Sequence, residues 1–234
     1  MLTRLFATHA GAGSRAHRLA PGCGRDRRAA AGQVPAGAPD ADTAPRITLR
    51  DPLAGFLGAA EDGIIEYGYA DAVKLAGHSC PTVASAYLMT RSALANLYPD
   101  TLPERGGIRV ELPGSQVEGV TGVIANVVSL LTGATRDTGF KGIGGKFDRR
   151  GLLFFDVDIA GDLRFTRTDT GASVVTSVQL DRIPFDPQMR ALMQRALAGT
   201  ATPDEAATFR SLWQRRVKSL LEAADDPHTI VVHH

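Results

Sequence analysis

Between Pro81 and Tyr98, the residues Val83, Ala84, Tyr87, Leu88, Arg91, Leu94, Ala95 and Tyr98 recur at steps of three and four, the period of one face of an α-helix. Pro81 stands where a helix opens without losing a hydrogen bond, and Pro99-Asp100 and Pro103 stand where it must stop. A helix over 81–98 with both ends fixed constrains the fold more than any other stretch, because its apolar side needs a partner surface. Its opening turn is Gly77-His78-Ser79-Cys80-Pro81, which holds the only histidine and the only cysteine of the middle of the chain.

An imidazole and a thiol two residues apart are donors suited to a borderline-soft cation such as zinc or another transition metal. The free N–H groups and dipole of a helix's first turn favour an anion, so Cys80 is placed to act as a thiolate, either as ligand or as nucleophile with His78 as its base. The same two residues also suit a buried small side chain and a hydrogen-bonded turn imidazole.

Asp51-Pro52 reads as a cap and first helical residue, and Leu53, Phe56, Leu57, Ala60, Ile64 and Ile65 carry a helical period over 52–67 with a break near Gly63. Tyr67 and Tyr69 follow, and Tyr67 is a candidate to reach the site. Ile108–Leu112 alternates as a strand, and Val117 to Leu131 mark a second apolar helix with Glu118 near its start as a candidate further ligand. Three segments, 152–155, 162–166 and 173–180, read as an antiparallel meander. Helices over 187–198 and 203–223 follow, the second opened by a Thr202/Glu205 capping box. The last helix carries an apolar stripe suited to docking on the sheet or on a second copy. The fold class is α+β, an antiparallel or mixed sheet covered by apolar helices with a C-terminal helical extension. Its divisions are a leader at 1–46, a domain at 47–185, and C-terminal helices and tail at 186–234.

Between the apolar helix and the first meander strand lies a loop with Thr132, Gly133, Thr135, Gly139, Lys141 and Gly142. Its glycines let backbone N–H groups approach a small anionic ligand, with Lys141 as the cation. It is not a P-loop, since Phe140 and Phe147 occupy the positions of the first glycine and of the Ser or Thr.

A net charge of +1 excludes an electrostatic case for nucleic acid, and no apolar run is long enough to span a membrane. The two cysteines, Cys23 and Cys80, define no disulfide framework and suit a reducing compartment. The expected place is the cytoplasm. The Arg-rich, acid-poor leader would instead suit an organelle if it is a transit peptide, and a disordered tail or an upstream start fits it equally. His228, His233 and His234 in the tail are spare donors.

The run Val73–Pro81, followed by Leu131-Thr132-Gly133-Ala134-Thr135 and Gly139-Phe140-Lys141-Gly142, resembles the FmdE family of formylmethanofuran dehydrogenase proteins over about residues 60–160. That family has a His-Gly-His-x-Cys-Pro motif, then Thr-Gly-Cys-Thr and a Gly-Lys-Gly segment. The resemblance implies an α+β domain that binds a metal, usually zinc, through the residues here numbered His78 and Cys80. The family's first histidine is Ala76 in this chain, and the cysteine of its second motif is Ala134. Three functions stay open. One is a metal-binding accessory or sensor for a metalloenzyme, with a homodimer as its assembly. The second is a thiol enzyme using Cys80 and His78 on an anionic small substrate, and the third is a structural protein with a decayed site.

Overall fold

The computed structural model describes residues 44–234. Expectations placed on 1–43, among them Cys23 and the targeting role of the leader, lie outside the described residues. The order is β1 (Ile47–Arg50), α1 (Pro52–Phe56), β2 (Ile64–Tyr67), α2 (Tyr69–Ala76), α3 (Pro81–Leu97), β3 (Ile108–Glu111), α4 (Thr121–Thr132), β4 (Leu153–Phe154), β5 (Leu163–Arg167), β6 (Ser173–Val178), α5 (Gln188–Leu197), α6 (Pro203–Glu222) and β7 (Ile230–His233).

α3 is the centre of the molecule. Every residue from Val83 to Thr90 is buried, so this part of the helix is buried all round rather than on one face, as expected of a helix enclosed by other elements. It packs on β5, β6 and β7 of the sheet and on α2, α4 and α6. The five-stranded sheet runs β4-β3-β5-β6-β7 and is mixed, β3 and β4 being parallel and the remaining pairs antiparallel. Its pairing aligns Val110 with Phe165 and Phe165 with Val174. All three side chains are buried in the same core as α3. With β1 and β2 forming a separate antiparallel pair, the architecture is α+β.

Several elements depart from the sequence expectation. The helix expected over 52–67 stops at Phe56. Gly58 and Gly63 take φ of 70° and 71°, and Gly63 is pressed so close to the Asp51 carbonyl that a Cβ would lie 2.4 Å from it. The chain therefore turns back, and Ile64–Tyr67 pairs with Ile47–Arg50 as a strand, consistent with the β-branched pair Ile64-Ile65. The helix expected from Val117 starts only at Thr121, after Gly119 at a φ of 50°, and leaves Val117 94% exposed.

The first strand of the expected meander pairs parallel with β3, not with β5. Val110 N–H donates to the Leu152 carbonyl at 2.7 Å and Leu112 N–H to that of Phe154 at 2.9 Å. The tail is the edge strand β7, paired with β6 through Thr176 and Val232, because Ile230-Val231-Val232 is a short β-branched run. Finally, α6 docks on α3 and α5 rather than on the sheet.

Candidate functional site

Cys80 caps α3. Its extended backbone and its Sγ, which accepts from Val83 N–H at 3.5 Å, satisfy one of the first-turn donors. The side chain is buried and free of any disulfide. Gly77 ends α2 in the left-handed region at φ 74°, which is what lets the chain reverse between two helices within the motif.

His78 is exposed, and its Nδ1–H donates to the Ala76 carbonyl at 2.9 Å. A carbonyl can only accept, so in the neutral imidazole this bond leaves the lone pair on Nε2. No hydrogen bond joins the imidazole to the Cys80 thiol, so a nucleophile–base pair is not assembled here.

Ser79, between them, is gripped from three sides. Its hydroxyl shares a 3.0 Å hydrogen bond with Tyr69. Its carbonyl accepts from Trp213 Nε1–H at 3.1 Å and from Gln214 Nε2–H at 3.2 Å. Tyr69 is fully buried and stacks edge-on to Tyr87 with ring centroids 5.8 Å apart. Burial pushes its phenol up to about 12, so it stays neutral. The sequence reading missed this clamp. Its one legible signal was Trp213, the single tryptophan of the chain, whose N–H seeks a partner when half-buried.

The other candidates stand apart from this turn. Tyr67 lies half-buried in β2, and its backbone carbonyl accepts from Tyr87 at 3.1 Å. Glu118 is exposed in the turn before α4, where it accepts from Ser115 N–H at 3.3 Å. His233 lies on β7, with Nε2 3.3 Å from the Ser177 hydroxyl, while His228 and His234 are exposed. Among the described residues, no three His, Cys, Asp or Glu side chains are grouped so as to hold a metal ion. His78 and Cys80 are donors of the two kinds that a tetrahedral nitrogen–sulfur site uses, and no third such donor is grouped with them among the described residues.

No hydrogen bond ties the glycine loop to the His78–Cys80 turn. Thr132 and Thr135 use their hydroxyls on the carbonyls of Val128 and Arg149 at 2.8 and 2.6 Å. Gly133 ends α4 at φ 74°, and Gly139 packs against Thr135. At the tip, Ile143 and Lys146 exchange two backbone hydrogen bonds around Gly144-Gly145, both left-handed, while Gly142 also has positive φ and Lys141 is exposed.

Beneath the loop lies a buried charge cluster that the sequence reading also missed. Asp51 accepts from Arg149 at 2.7 Å and from Arg105 at 2.9 Å. Gly106 and Gly133 leave room for the Arg149 guanidinium, whose Nη1 is buried without a partner.

A family model described as FmdE, Molybdenum formylmethanofuran dehydrogenase operon, matches residues 75–229. The chain belongs to the FmdE family. The match opens just before the His78–Cys80 turn and runs through the α6 clamp to the start of β7, so the turn with Trp213 and Gln214 lies within the matched residues and Tyr69 precedes them. No curated protein matches the chain.

Proposed function

We propose that this FmdE-family protein is a metal-binding accessory module in which His78 Nε2 and Cys80 Sγ take a transition-metal ion, zinc foremost. The observation that carries the reading is the His78 Nδ1–H bond to the Ala76 carbonyl. Metal-ligating histidines commonly donate their other ring N–H to a carbonyl, which fixes the tautomer and aims the free nitrogen outward. The Tyr69, Trp213 and Gln214 contacts to Ser79 support it, since they hold the turn's backbone in place before any ion arrives. The remaining ligands come from beyond the described residues of one copy, with water, a small molecule and a second copy as candidates. An accessory role accords with a family description that names the operon of a molybdenum enzyme.

The His78 imidazole is bonded to the Ala76 carbonyl and not to the Cys80 thiol, which favours ligation over a nucleophile–base pair. Titration with cobalt(II) tests the reading. Thiolate coordination is expected to give charge-transfer absorption in the near ultraviolet that is absent in Cys80→Ser, and cobalt binding without that absorption would contradict the ligand assignment.

A further inference from the structure

Two neighbouring cavities of about 390 and 190 Å³ open where the Leu180–Asp186 segment meets α5 and α6, and they share Pro184, Phe185 and Arg216. Four guanidinium groups line them: Arg182 on the 3₁₀ turn, Arg190 on α5, and Arg215 and Arg216 on α6. None of the four has an ion-pair partner among the described residues.

Three carboxylates stand nearby, and two are engaged. Asp186 accepts from Gln188 N–H at 2.9 Å. Asp226, which feels the charge of Arg182, accepts from Thr229 Oγ1 at 2.7 Å and from His228 N–H at 3.0 Å. Both keep their charge, so with Asp181 three carboxylates stand against four guanidinium groups and the groove stays net positive.

Arg216 is fixed in place. It donates to the Leu180 carbonyl at 3.0 Å and lies 5.0 Å from the centroid of the Phe185 ring. Phe185 itself is 49% exposed and gives the groove an apolar wall together with Pro184. The larger cavity, with an aromatic wall and three guanidinium groups in its lining, has the make-up of a small-ligand site. Guanidinium forks match both carboxylate and phosphate, but a phosphate has three oxygens and a second charge to share among several forks.

We propose that this groove binds a small phosphorylated molecule, with Arg182, Arg190 and Arg216, which line the larger cavity together, holding the phosphate and Phe185 holding the apolar body. The proposal is independent of the metal reading, since no groove residue touches the His78–Cys80 turn.

The test is calorimetric titration of the full chain with inorganic pyrophosphate, with chloride adjusted to constant ionic strength. Saturable one-to-one binding is expected. Arg182→Ala and Arg190→Ala, both at exposed positions, are each expected to weaken it about tenfold or more, the loss that follows from removing one hydrogen bond between charged groups. Lys74→Ala, at an exposed position of α2 outside the groove, is expected to leave it unchanged. Absence of saturable binding overturns the proposal, as does affinity that survives both arginine changes or falls in Lys74→Ala alone. Capture of an Asp/Glu-rich peptide without pyrophosphate binding overturns it in favour of a protein partner.

Discussion

Replacing Asp51 with asparagine removes the one negative charge from a cluster that otherwise holds two guanidinium groups. The carboxylate side chain is 5% exposed and accepts from Arg149 at 2.7 Å and Arg105 at 2.9 Å, while one oxygen also caps α1 through Leu53 and Ala54 N–H at 2.9 and 3.1 Å. Asparagine can keep the cap but must turn an NH₂ toward a guanidinium. Removing one member of a buried ion pair costs about 3–5 kcal/mol because the partner charge is left in a poorly hydrated site. For a chain of this size that lowers the thermal midpoint by about 10 °C.

The pH dependence separates charge from shape. Burial raises the Asp51 carboxyl, but hydrogen bonds from Arg105 and Ala54 and the charges of Arg149 and Arg105 outweigh it, so the net shift is downward. A lowered carboxylate contributes its full stability above the ordinary aspartate range and loses it as pH falls through its own lower value. The gap between wild type and Asp51→Asn, followed by circular dichroism during thermal unfolding, should therefore be full at pH 7 and shrink below about pH 4. Adding Arg149→Met should recover part of the loss, since removing both partners is milder than removing one. A midpoint within about 2 °C of wild type, or a gap constant to pH 3, would refute the reasoning.

Three further changes probe the scaffold. Tyr69, raised to about 12, favours the fold up to the ordinary tyrosine range near 10 and loses that contribution as pH rises toward 12. Urea midpoints should therefore fall across that window by an amount on the order of 2 kcal/mol more in wild type than in Tyr69→Phe, and parallel curves would contradict this. Trp213→Phe removes a donor from the Ser79 carbonyl and should cost about 1 kcal/mol while speeding amide exchange at His78–Cys80, whereas unchanged exchange would show that the clamp does not hold the turn. Gly106→Ala should destabilise by about 2 kcal/mol or more in urea titration, because its Cβ would meet Arg149 Nη1 at 2.0 Å with φ at 91°, and a neutral effect would mean the cluster yields easily.

The parts of this fold written in local patterns were legible. Pro81 and the three–four spacing after it define α3, and Thr202 with Glu205 forms the reciprocal cap of α6, with Thr202 Oγ1 accepting from Glu205 N–H at 3.2 Å. What escaped the sequence was set by distant partners. Ile64-Ile65 continues the helical period of α1 in sequence, yet pairing with β1 overrides it, and β4 finds β3 across more than forty residues of chain. The His78–Cys80 turn itself was visible from residue types, and its family membership rests on the match over residues 75–229. Its supports were not visible, because Trp213 and Gln214 reach Ser79 from the far end of the chain. Asp51, Arg105 and Arg149 likewise lie on three separate segments that no spacing links.

The most direct test of the metal-binding account is elemental analysis of the purified full chain across pH, in wild type and in Cys80→Ser. The account predicts a transition metal in stoichiometric amount in wild type, falling as acid protonates the ligands, and largely lost in Cys80→Ser. Stoichiometric metal that persists in Cys80→Ser, or no metal in wild type after exposure to zinc at neutral pH, would contradict it.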